Sequence, residues 1–311
     1  MNDVHCHFFS PAFFDALAKQ KLALQNDPEG SSHESGEPAV ELPKLLSSDA
    51  PGSPDDLADR WVKELDRHGV TRAALIASVP GDESSVAAAV RRHPSRFVGF
   101  FMVDPTKPGA ADRVRQAIVE QGLRCPCLFP AMHHYRLDAP EVADVFKVAA
   151  ELRAAHRTAV FVHCGVLSVG VRKKLGLPSR FDIRLGQPLD LVRPAQQFPD
   201  LPVIVPHFGA GFFREALMAA DVCPNLYLDT SSSNGWIKYF PGLTLADVFR
   251  QALGTVGPSR LIFGTDSSFF PRGWQKPIYD EQRTALSAPG IDDWVSSFVF
   301  EENFNRVFGG I

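Results

Sequence analysis

Four histidines and one aspartate stand where short apolar runs end. His5 and His7 lie in Asp3-Val4-His5-Cys6-His7. His163 closes Ala159-Val160-Phe161-Val162, and His207 closes Pro202-Val203-Ile204-Val205-Pro206. Asp266 follows Leu261-Ile262-Phe263-Gly264-Thr265. Imidazoles and a carboxylate gathered at one place suit a divalent metal that activates water. Side chains alternate along a strand, so His5 and His7 face one side and Cys6 the other. Singly, each histidine also reads as a core or chain-end residue, and Asp266 as a turn cap. Their joint placement at the ends of strands one, five, six and eight points to a shared site.

The elements that must position them follow from the apolar runs. Eight strand-like runs cover residues 3–7, 71–78, 96–103, 123–129, 159–163, 203–206, 226–229 and 261–264. Helical periodicity lies between them: Leu57, Trp61, Val62 and Leu65 share a face, as do Val114, Ile118 and Val119, and Val142, Val145, Phe146 and Ala149. Strands alternating with helices predict a (β/α)8 barrel, in which active sites form at the C-terminal strand ends. A doubly wound open sheet would need an early phosphate-binding glycine loop. Only Gly209-Ala210-Gly211 resembles one, late in the chain and without the third glycine.

One domain is expected over residues 1–311, interrupted at 25–54 by an irregular Ser-, Pro- and Gly-rich insertion read as a lid. A second excursion, 166–188, carries Arg172, Lys173, Lys174, Arg180 and Arg184 straight after the His163 strand. Phe8, Phe9, Phe13 and Phe14 fit a packed helix face. His133 and His134, after strand four, read as loop surface or as reaching the site.

With 45% hydrophobic and 22% charged residues among 311, the chain has the composition of a globular domain with a large core. Its 32 basic and 36 acidic residues give a formal charge of -4 with no basic stripe, which argues against nucleic acid or an anionic membrane as partner. No run is long enough to span a bilayer and the start has no signal-peptide pattern. The five cysteines form no disulfide framework. Reduced thiols in a cytoplasmic protein are therefore expected, with Cys125 and Cys127 as small buried strand residues.

The pattern resembles the amidohydrolase superfamily, in its amidohydrolase-2 branch related to aminocarboxymuconate semialdehyde decarboxylase. The resemblance rests on Asp3-Val4-His5-Cys6-His7-Phe8-Phe9, His93-Pro94-Ser95-Arg96-Phe97-Val98-Gly99, His163, His207-Phe208-Gly209, Phe263-Gly264-Thr265-Asp266 and Asn303-Phe304-Asn305-Arg306-Val307-Phe308. It spans nearly the whole chain and is specific for the superfamily, not for a reaction. It implies one divalent metal, zinc first and manganese second, bound by His5, His7, His163 and Asp266, with His207 beside it as an acid/base or electrostatic group. The bridging lysine of binuclear members has no counterpart between Leu123 and Phe146, which implies a single ion. Thr265 departs from the more frequent serine, and Ser267-Ser268-Phe269-Phe270-Pro271 from the usual continuation. Homodimers occur in the branch and are left open here.

Two reactions fit that set. In a hydrolase, metal-activated water attacks an ester, lactone or amide carbonyl, Asp266 takes its proton and His207 stabilises the oxyanion. In a decarboxylase of a small aromatic or unsaturated acid, Asp266 or His207 protonates the carbon that loses CO2. Hydrolysis of a carboxylate-bearing substrate is the first reading and decarboxylation the second. A non-catalytic metal-binding barrel is the third, though structural zinc sites usually close with four Cys or His ligands. Arg272, then Arg180 and Arg184, are the candidates to hold a substrate carboxylate. Trp236, Tyr239 and Phe240 could wall an aromatic pocket.

Overall fold

The computed structural model describes residues 1–25, 49–232 and 234–309. The proposed lid therefore lies largely outside the described residues. Eight strands run β1 Asn2–Phe8, β2 Arg72–Ala77, β3 Phe97–Val103, β4 Cys125–Leu128, β5 Val160–Val162, β6 Val203–Val205, β7 Leu226–Asp229 and β8 Leu261–Ile262. Each pairs in parallel with the next in sequence order. The ring closes between its first and last members: Val4 N–H donates to Phe263 O at 2.9 Å and Asp266 N–H to His5 O at 2.9 Å. The protein is a (β/α)8 barrel, as the alternation of runs predicts.

Helices cover the outside because each carries one apolar stripe. In Pro54–Arg67, Leu57, Ala58, Trp61 and Leu65 are buried, and Ser53 with Asp56 forms a capping box at its start. Pro140–His156 buries Val142, Val145, Phe146 and Ala149. In Ala110–Val119 the buried residues are Ala110, Val114, Ala117 and Ile118, while Val119, the last residue, is half exposed. The sequence-based face there was one position too wide.

Inside the barrel, Val4, Ile76, Phe100, Met102, Cys127, Phe161 and Ile204 form a continuous core. Cys125 and Cys127 belong to it, and all five cysteines are buried free thiols. The helix Asn303–Phe308 plugs the N-terminal end by inserting Phe304, Val307 and Phe308. Arg153 donates to Val307 O at 2.8 Å and Arg124 to Phe308 O, placing cations at the helix C-terminus where the dipole favours them. One end is sealed, so a cavity can form only at the rim where the strands end.

β1 carries a feature that alternation alone does not give. Asp3 pairs with Ala73 and Cys6 with Leu75, so β1 spends one residue more than β2 over this stretch. This β-bulge turns both Val4 and His5 inward, and Asp3 is freed to face β8. Among the described residues no helix is long and apolar enough to cross a membrane.

Candidate metal centre

Three of the four histidines are set by a partner on the far nitrogen. His5 Nδ1 lies 2.7 Å from Asp229 Oδ2, and a carboxylate only accepts, so Nδ1 carries the proton. His207 Nδ1 lies 2.7 Å from the Ser231 carbonyl, which fixes the same tautomer. His7 Nδ1 lies 2.8 Å from Ser78 Oγ, whose own proton goes to Ile76 O at 3.0 Å, so His7 also donates from Nδ1. Ser231 Oγ stands between His5 Nδ1 at 2.9 Å and His207 Nδ1 at 3.0 Å. All three rings, when neutral, thus keep a lone pair on Nε2.

Those lone pairs converge. His5 Nε2 is 3.3 Å from His7 Nε2, His7 Nε2 is 3.1 Å from Asp266 Oδ1, and His5 Nε2 is 3.6 Å from the same oxygen. Three acceptors at this spacing repel one another unless a positive charge lies among them. A tetrahedral ion with ligands at 2.0–2.1 Å has ligand–ligand edges of roughly 3.3 Å, and imidazole with carboxylate is a set that zinc accepts. The donor set fits a divalent transition metal.

Electrostatics agree. Burial opposes protonation of His5, but the Asp229 carboxylate outweighs it and raises the pKa. Burial lowers His7 and His207, and lowers His163 strongly, with His207 and His5 adding to the effect, so these rings stay neutral as a ligand or base must. Burial would raise Asp266. The adjacent His7 and His5 rings hold it below the usual carboxylate range, and a third of its side chain faces open space.

His163 stands just outside the triplet. His5, His7 and Asp266 offer atoms within 4.8 Å of one another, and His163 is not in that group. Its ring lies 5.2 Å from that of His207 and is stacked 5.4 Å from Phe129. Among the described residues its buried Nδ1 has no hydrogen-bond partner.

Backbone geometry is strained at the same places. His207 and Asp266 adopt φ of 56° and 59°, and Phe208 and Ala210 are left-handed too. Such conformations persist at sites where the surroundings over-determine them. Asp3 ties the two ligand-bearing segments together: it accepts from His5 N–H at 2.9 Å, Thr265 Oγ1 at 2.6 Å and Trp274 Nε1 at 2.7 Å. Burial pushes its carboxyl up to about 6 despite these donors. A Cβ on Gly264 would lie 2.7 Å from Asp229 Oδ1 and 2.9 Å from His5 Cβ. Gly264→Ala is therefore expected to displace the Asp229–His5 pair and weaken metal binding by about 10–100-fold, a typical cost of losing an outer hydrogen bond to a ligand. Metal titration alongside a thermal melt checks this.

The rings open into a cavity of about 300 Å³ walled by Phe9, Phe13, Phe129 and Phe269, with Lys174 and Arg272 at its edge. Phe9 and Phe13 stack at 3.9 Å, so part of the phenylalanine face read as packing lines the cavity. Arg272 bonds to Ser268 Oγ and lies 4.9 Å from the Phe269 ring. Arg180 lines an adjoining hollow with His133 and His134 rather than this cavity. Arg184 is 87% exposed and paired with Asp182 at 2.7 Å, away from the metal centre. Trp236 is buried and lines a separate hollow together with His163, His207 and Asp266. Reasoning from the sequence missed Asp229, Ser231 and Ser78 as partners of the histidines. Asp229 and Ser78 close apolar runs as the ligands do, and that signal was available.

A closed barrel with histidines and an aspartate at its C-terminal rim is the arrangement that the amidohydrolase-2 pattern implies. The amidohydrolase family model matches residues 2–309, and the chain belongs to that family, in its amidohydrolase-2 type, whose members are generally metal-dependent enzymes. Solved structures share the fold at low identity. 5-Carboxyvanillate decarboxylase from Sphingomonas paucimobilis is 18% identical over 100% of this chain and 99% of its own, with a TM-score of 0.63. A probable 2-pyrone-4,6-dicarboxylic acid hydrolase from Acinetobacter baumannii, with citric acid bound, is 15% identical over 99% and 98%, with a TM-score of 0.58. An amidohydrolase from Burkholderia multivorans with bound zinc is 13% identical over 100% and 99%, with a TM-score of 0.57. No curated protein sequence matches the chain.

Proposed function

We propose that the protein is a zinc-dependent hydrolase of a small, flat, carboxylate-bearing ester, lactone or amide. His5, His7, His163 and Asp266 hold one ion, with manganese as the alternative metal. The reading is carried by the three lone pairs of His5, His7 and Asp266 meeting at 3.1–3.6 Å with no donor between them. When bound, such an ion supplies Lewis acidity and makes water acidic enough to ionise near pH ~7.

The chain's own groups do the rest. Asp266, partly open to the cavity, takes the proton of the attacking water and passes it to the leaving oxygen or nitrogen. His207, anchored through Nδ1–H on the Ser231 carbonyl, presents Nε2 as a base; once protonated there, it donates to the charge growing on the carbonyl oxygen. The phenylalanine walls exclude water around a planar substrate, and Arg272 with Lys174 attracts its carboxylate.

Decarboxylation is the second reading. It is favoured by the same aromatic walls, because a buried carboxylate is destabilised relative to neutral CO2. A screen of lactones, esters and hydroxybenzoates, followed for acid release and for CO2, separates the two. Acid release without CO2 is expected; CO2 from a hydroxybenzoate with every ester and lactone intact would reverse the order.

A further inference from the structure

His163, Ser168, His207 and Asp266 line two hollows at once. The first is the aromatic cavity described above. The second, of about 250 Å³, is walled by Trp236, Lys238, Tyr239 and Ser232. The two have no other lining residue in common among the described residues, and their chemistry differs. Trp236 is wedged between Phe213 and Phe240, with ring centroids at 5.3 and 5.6 Å. It is only 4% exposed, and its indole N–H has no partner among the described residues. Lys238 Nζ stands 5.2 Å from the Tyr239 ring and forms no ion pair among the described residues. Apart from Asp266, no acidic residue among the described residues lines this second hollow.

We propose that the substrate is an open-chain ester or amide of two parts. Its flat acyl part occupies the aromatic cavity, and a small anionic alcohol or amine part occupies the second hollow against Lys238. This inference rests on the hydrolase reading. The scissile carbonyl lies between the hollows, at the residues they share. Water oxygen bonds to the carbonyl carbon, the C–O or C–N bond breaks, and the water proton leaves on the alcohol or amine. Decarboxylation releases only CO2, which needs no walled compartment with a cation of its own.

Two mono-esters of isophthalic acid test this: the glycolate ester, anionic in its alcohol part, and the neutral ethyl ester. Wild-type protein is expected to favour the glycolate ester about tenfold in kcat/KM, as a charged hydrogen bond predicts. Lys238→Met removes an exposed charge and should cut that preference several-fold, mainly through KM. Calorimetric titration supplies a readout without turnover: glycolate should bind equally well with isophthalate present, and more weakly to Lys238→Met. Equal kcat/KM for the two esters overturns the second hollow and leaves the hydrolase reading standing. CO2 release from hydroxybenzoates with both esters intact overturns both. Where neither reaction is seen, competition between glycolate and isophthalate, or no glycolate binding, overturns the proposal, and simultaneous binding supports it.

Discussion

Asp266→Asn is expected to lower kcat by at least about a thousandfold while the barrel stays folded. The size follows from two roles lost together, because general-base catalysis alone contributes ~10²–10⁴ and the carboxylate also supplies charge to the metal set. Asparagine keeps the shape and removes the charge, so the left-handed backbone at this position is not newly strained. His7 Nε2 then faces an amide in place of a carboxylate oxygen at 3.1 Å. Steady-state kinetics with a circular dichroism spectrum checks the result. Wild-type turnover in the variant would remove Asp266 from the chemistry.

His207→Ala is expected to cost about 10²–10⁴ in kcat, the range for loss of a positioned acid or base. Bound metal should be unchanged, and that separates His207 from the ligands. The ring is held by the Ser231 carbonyl at 2.7 Å and lies outside the triplet of His5, His7 and Asp266. Loss of metal in step with activity would instead make His207 a ligand. Elemental analysis beside the kinetics distinguishes the two.

Much of this arrangement is legible in the residues themselves. The apolar runs locate all eight strands, because strands buried on both faces need little besides Val, Ile, Leu and Phe. A polar residue at the end of such a run stands out, so His5, His7, His163, His207 and Asp266 are visible without coordinates. What the pattern cannot carry is geometry between segments distant in sequence. Asp229 reads as the end of β7, and only the closed ring brings it to 2.7 Å from His5, 224 residues earlier. The bulge that turns Val4 and His5 inward together depends on pairing with β2, which periodicity within β1 does not encode. Charge without context misleads in the other direction. Arg184 looks like a carboxylate ligand, yet Asp182 neutralises it locally and points it outward. Arg272, by contrast, is drawn onto Phe269 at the cavity edge.

The metal content of the purified protein tests the central claim most directly. After dialysis, elemental analysis of wild-type chain and of His5→Ala is expected to find about one zinc or manganese per wild-type chain and a large loss in the variant. Wild-type protein that takes up no divalent metal, even from a buffered supply, would contradict the account.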